Sequence, residues 1–197
     1  MASVVVPFRG SDPKQRLAMG EAARRALAGA MLADVVAAAA AVGPVLVVAP
    51  PGTTLPAGAR FVGDPRRGQG AAVRAGLAAA TAAEPTGPYL VVNADLPCAD
   101  ARDLLALAGA VPADGLALAA AADGTTNALA FADPNVFEPV YGPGSAERFA
   151  ALAPSTVLDA PNLVDDVDTL DDLARLAERV GEHTRRVLAS LDLPSAA

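Results

Sequence analysis

Short apolar runs of Val, Leu and Ala alternate with longer segments of helical periodicity along almost the whole chain. That alternation leaves few architectures open. The runs at 3–6, 45–49, 59–62, 89–93, 116–120, 128–132 and 156–158 read as strands, several of them bounded by Gly or Pro. Over 16–42, Leu17, Glu21, Arg24, Leu27, Met31 and Val35 recur three and four residues apart, which predicts a long helix. Further helices are expected over 71–83, 101–110, 146–153, 170–180 and 182–191. Strands buried on both faces and separated by helices of this length form a mostly parallel sheet. The expected fold is therefore an α/β three-layer sandwich. With 197 residues, a single domain over 1–192 is expected, with 193–197 as a frayed tail.

Composition excludes several functions. The hydrophobic share of 53% supports a sizeable core and argues against disorder. A net charge of -7 and the absence of any basic run argue against nucleic-acid binding, and 4% aromatics without tryptophan against base-stacking platforms. One cysteine, Cys98, cannot form an intramolecular disulfide, and no Cys/His group has zinc spacing. The longest Ala/Val stretch, 35–42, falls short of a membrane span. A soluble, cytoplasmic protein with no membrane partner is expected. The basic residues comprise 14 Arg and a single lysine, Lys14, a bias that a GC-rich coding sequence also produces.

In such a sheet, ligands bind at the carboxyl ends of the strands, so the loops there carry the information. After the first strand, Arg9, Lys14 and Arg16 share one loop that enters a helix N-terminus, where phosphate is favoured. The ending of a Walker A loop is missing, and a solvated basic loop reads the same way. Gly63-Asp64-Pro65-Arg66-Arg67-Gly68-Gln69-Gly70 opens the next helix. Its glycines permit close backbone approach, Gln69 offers a donor and an acceptor to a base edge, and Arg66, Arg67 and Arg74 can meet phosphate. A plain turn is the alternative. Asn93-Ala94-Asp95-Leu96-Pro97 ends an apolar strand on a carboxylate suited to a hard divalent cation, or to capping the turn.

Two later segments complete the set. Asp123-Gly124-Thr125-Thr126-Asn127 and Tyr141-Gly142-Pro143-Gly144-Ser145 can build an anion site, although Ser145 can equally be a plain N-cap. In extended backbone Asp166 and Asp168 point to the same side, as shared metal coordination requires. Thr169 and Asp172 resemble a capping box, and both readings can hold together. His183 reads as solvated surface and Cys98 as a small packing residue.

Taken in order, these loops resemble the MobA-like nucleotidyltransferases, and within them the 2-phospho-L-lactate / phosphoenolpyruvate guanylyltransferases of deazaflavin coenzyme F-420 biosynthesis. The resemblance spans nearly the whole chain. It is carried by Val6-Pro7, Lys14-Gln15-Arg16-Leu17, Ala94-Asp95-Leu96-Pro97, the Gly124-to-Asn127 turn, Tyr141-Gly142-Pro143-Gly144-Ser145 and Asp166-Val167-Asp168-Thr169. It implies a Rossmann-like, nucleotide-diphospho-sugar transferase type of fold. It further implies GTP, a three-carbon phospho-acid and magnesium or manganese as ligands, and a downstream transferase that consumes the product. Asp95, Asp166 and Asp168 match the metal carboxylates, and Asp95 with Lys14 and Arg16 the catalytic set. Thr126, Gly142 and Ser145 match the acid-binding positions. Pro7, Arg9, Lys14, Gly68, Gln69, Gly70 and Asn93 match the nucleotide side. The chain departs from the pattern at Arg9, where lysine is usual, and at Pro13, where a small residue is usual. The Arg67-Gly68-Gln69-Gly70 loop also lacks the customary asparagine. The same loops would also suit a related cytidylyltransferase or a non-catalytic nucleotide-binding paralogue.

Overall fold

Alternation along the first strand sets the layers of the molecule. In the computed structural model, which describes residues 1–10, 17, 19–84 and 86–191, β1 (Ser3–Pro7) is buried at every residue. Val4 and Val6 join one apolar cluster and Val5 the other, because successive side chains of a strand point to opposite faces. The remaining elements follow as α1 (Glu21–Ala40), β2 (Val45–Ala49), β3 (Ala59–Gly63), α2 (Gln69–Ala83), β4 (Tyr89–Val92), α3 (Ala101–Gly109), β5 (Leu116–Ala120) and β6 (Thr126–Phe131). A 3-10 turn at Pro134–Val136 precedes α4 (Ser145–Ala150), β7 (Ser155–Val157), α5 (Pro161–Val164), α6 (Leu170–Leu176) and α7 (Glu182–Ser190).

The Val4/Val6 face is covered by α1, α3 and α5, through Leu32, Val35, Leu104, Leu107 and Leu163. The Val5 face is covered by α2 and α4, through Val73, Leu77 and Phe149. On α1, Leu27 and Met31 join Leu173, Leu176 and Val180 in a third cluster. This is the expected three-layer sandwich. The helix expected from Arg16 begins at Glu21 instead, and Leu17 is buried outside it.

The seven strands run in the order β3-β2-β1-β4-β6-β5-β7. All pairs are parallel except those of β6, which is antiparallel to both β4 and β5. Residues 121–125 between β5 and β6 are too few for a parallel crossover, which takes a dozen or more. A tight turn forms there instead, with Gly124 at φ +80 and the Asp123 carboxylate accepting from the Thr125 amide at 2.9 Å and its hydroxyl at 2.7 Å. The reversal has a functional consequence. β6 begins where β4 and β5 end, so Thr126 and Asn127 stand at the carboxyl edge of the sheet. No helix among the described residues is long and apolar enough to cross a membrane.

Candidate active site

β4 runs apolar and fully buried to Val92 and then releases Asn93, Ala94 and Asp95 at the carboxyl edge. The Val167 amide donates to the Asp95 carbonyl at 3.1 Å, which pins the segment before α6 against this loop. Val167 is buried, so its neighbours on either side turn the other way. Asp95, Asp166 and Asp168, all half-buried, thereby bring one carboxylate oxygen each within 4.8 Å of one another. The capping box anticipated at α6 is present as well. The Asp172 amide donates to the Thr169 hydroxyl at 3.2 Å, and the Asp172 carboxylate accepts from the Thr169 amide at 2.9 Å. Burial pushes the Asp172 carboxyl up, but bonds from Thr169 and Arg175 outweigh it and hold the group below its ordinary range. Asp165 is engaged elsewhere, by Arg175 at 2.6 Å and Arg179 at 3.1 Å. The acidic run is thus divided: Asp165 to arginines, Asp172 to the helix, Asp166 and Asp168 to the cluster.

Three carboxylates with no nitrogen or sulfur donor suit a hard, oxygen-preferring divalent cation. The donor set therefore fits magnesium or manganese and not a zinc site of the Cys/His kind.

To one side of the cluster, Pro7, Arg9, Gln69, Asn93 and Asp95 line a single cleft. α2 starts at Gln69, two residues before the expected Ala71, with Gly68 at φ +87 as its N-cap. Gly70 therefore lies in the first helical turn, where a Cβ would stand 2.3 Å from the Cβ of Pro139. Close packing of α2 on the loop before α4 accounts for that glycine. Arg74, expected within reach of phosphate, is instead paired with Glu138 at 2.7 Å and placed over the Phe137 ring at 5.6 Å. Lys14 and Arg16 lie outside the described residues.

Next to this cleft at the same sheet edge, the Thr126 and Ser145 hydroxyls meet at 3.0 Å, both side chains buried. Ser145 is not the N-cap of α4: Gly144 holds that place in left-handed backbone, φ +69. The loop before it is held from outside by Arg148, whose guanidinium donates to the carbonyls of Val140 at 3.0 Å and Pro143 at 2.7 Å. Gly142, at φ +106, completes this loop. Burial raises the Tyr141 phenol above its ordinary value. Cys98 is buried, which raises its thiol, and the His183 side chain is exposed, both as expected.

Two connecting residues escaped the sequence reading. Asn127, 2% exposed, donates its side-chain amide to the carbonyls of Leu163 and Val164 at 3.0 Å each, and so ties β6 to α5. Asp34, in the middle of α1, accepts from the His183 and Thr184 amides at 2.9 Å each and caps α7. A polar residue inside an otherwise apolar segment is the available signal for both.

A sheet of this order with an acidic cluster at its carboxyl edge, beside a glycine-opened helix and a glycine-bearing loop, fits a nucleotidyltransferase. Residues 9–193 match the MobA-like NTP transferase domain, and the chain belongs to that family. A phosphoenolpyruvate guanylyltransferase of Streptomyces scabiei is 37% identical, over 98% of this chain and 98% of the relative. A 3-phospho-D-glycerate guanylyltransferase of Phenylobacterium zucineum is 34% identical, over 97% of each. Among solved structures, a protein assigned as a nucleotide-diphospho-sugar transferase from Desulfovibrio desulfuricans G20 superposes with a TM-score of 0.74, covering 96% of this chain and 95% of that one. At 18% identity, that likeness is one of fold alone.

Proposed function

We propose that this protein transfers GMP from GTP to the phosphate of a three-carbon phospho-acid, phosphoenolpyruvate foremost, with release of pyrophosphate, as a cytoplasmic step of coenzyme F-420 biosynthesis. The observation that carries the reading is the Asp95/Asp166/Asp168 cluster, whose Asp95 also lines the Gln69 cleft, at the sheet edge where the Thr126/Ser145 pair stands. Full-length relatives that are guanylyltransferases of phospho-acids support it.

An oxygen of the acid's phosphate attacks the α-phosphorus of GTP in line; the bond from that phosphorus to the α–β bridging oxygen breaks, and pyrophosphate leaves. The protein's work is positioning and charge neutralisation. Asp95, Asp166 and Asp168 would hold magnesium or manganese, which when bound neutralises charge between the two anionic substrates. Pro7, Arg9, Gly68, Gln69, Gly70 and Asn93 would form the nucleotide side, with Lys14 and Arg16 meeting the departing pyrophosphate. Thr126, Gly142 and Ser145 would hold the acid. Two hydroxyls bonded to each other use one O–H between them and keep the second for an anion, which suits the Thr126/Ser145 pair to that task.

A pyrophosphate-release assay crossing GTP, CTP, UTP and ATP with phosphoenolpyruvate, 2-phospho-L-lactate and 3-phosphoglycerate tests the reading. GTP with phosphoenolpyruvate is expected to be the best pair, and chelation with EDTA to stop release. Preference for another nucleotide, or no release with any pair, overturns it. Arg148 yields a separate expectation: Arg148→Ala removes the clamp on the 140–143 carbonyls and should raise KM for the acid about tenfold, with KM for GTP unchanged. Equal changes in both would mean that the clamp serves only stability.

A further inference from the structure

The Thr126 carbonyl is an acceptor and nothing else, and this fixes the polarity of two amides beyond it. The Asn93 side chain donates to that carbonyl through Nδ2 at 3.2 Å. Its Oδ1 is therefore left facing Gln69, whose Nε2 donates to it at 3.0 Å. A reversed Gln69 would set its own oxygen against Asn93 Oδ1, two acceptors at hydrogen-bond distance. A reversed Asn93 would do the same against Thr126. The relay thus runs in one direction only, from a backbone carbonyl of β6 through the end of β4 to the first residue of α2. It leaves Gln69 Oε1 unused by Asn93, on a side chain that lines the cleft.

We infer that Gln69 is a specificity-determining residue whose side-chain carbonyl accepts from an N–H donor of the nucleotide base, and that Asn93 is the positioning residue that holds it in that sense. The inference rests on the nucleotide reading above and gives it a direction. A fixed acceptor matches the edge of guanine that carries N1–H and the 2-amino group as adjacent donors. Adenine presents a bare N1 acceptor at the same place and meets oxygen with lone pair. A free glutamine could turn over and set its NH2 against adenine N1, whereas one locked by an acceptor-only carbonyl keeps its oxygen at that place, which favours guanine. Gln69 is half-buried at a helix start, so its replacement leaves the core intact. Asn93, by contrast, works through Gln69 and need not touch the ligand.

The test is the ratio of kcat/KM for GTP to that for ATP in the whole enzyme and its variants. Gln69→Leu and Asn93→Leu should each lower the ratio about tenfold or more, and the double variant should lower it no further than either alone. Asn93→Asp still offers Gln69 Nε2 an acceptor but sets a carboxylate oxygen against the Thr126 carbonyl, so it should lower the ratio as Asn93→Leu does. A wild-type enzyme without preference for GTP overturns the nucleotide reading itself. A wild-type preference that survives Gln69→Leu overturns this inference alone. A double variant whose ratio falls clearly below that of either single variant overturns the positioning role of Asn93.

Discussion

Asp95→Asn and Asp166→Asn are each expected to cut metal-dependent pyrophosphate release by roughly 10²–10³-fold, which is about 3–4 kcal/mol of transition-state stabilisation. Two anions must approach within bonding distance in a protein of net charge -7, so the cation's charge is the largest single contribution at stake. Each substitution keeps the shape of the side chain and removes one anionic oxygen from a set confined within 4.8 Å. The fold should persist, as reported by circular dichroism. Metal should raise the melting temperature of the wild type, by linkage of binding to the folded state, and should do so much less in the variants. Asp171→Asn is the control, because Asp171 is exposed in the first turn of α6 and outside the cluster; its activity should match the wild type. Full activity in Asp166→Asn, or equal loss in Asp171→Asn, would remove the cluster from the mechanism.

Why some features are legible in the sequence and others are not follows from the range over which each signal acts. Strand runs such as Val45–Ala49 are legible because branched apolar residues in a short run between turn residues have few other uses. The order of loops at one sheet edge then follows from strand-helix alternation alone. The sequence reads β6 from 128, two residues late, because Thr126 and Asn127 are polar and do not read as buried strand. They can be buried because distant partners satisfy them: the Ser145 hydroxyl in one case, the α5 carbonyls in the other. α5 itself, four residues long, is too short for any periodicity to show. Charge and proximity let Arg74 meet phosphate, but Glu138, 64 residues away in sequence, takes it. Local chemistry was readable, whereas the pairings that decide which polar group is spent on structure are long-range.

Asn127 is where that long-range bookkeeping has its largest consequence for stability. Its amide satisfies two carbonyls at the end of α5, and the chain runs from there directly into Asp165, Asp166 and Asp168. Asn127→Asp replaces that donor by a carboxyl with two carbonyl oxygens at hydrogen-bond distance, and it should cost about 3–5 kcal/mol at neutral pH, as expected for an unpaired buried charge. The sign of its pH dependence is fixed by the same geometry. Burial and the facing carbonyls disfavour the ionised form, so the introduced carboxyl titrates higher in the folded protein than its ordinary value of about 3.9 in the unfolded chain. Folding then takes up protons, and the deficit relative to wild type is smallest below pH ~4 and grows as pH rises through the folded pKa. Once protonated, the group can also donate to one of the two carbonyls, which narrows the deficit further. Asn127→Ala removes the donor without adding a charge, so its deficit should be smaller and flat with pH. Urea unfolding of both variants between pH 4 and 8 separates these cases, and a flat profile for Asn127→Asp would mean that the carboxyl has turned out to solvent. Because α5 leads into the acidic cluster, both variants should also bind manganese more weakly than wild type under conditions where they remain folded, a shift that a purely global loss of stability would not produce.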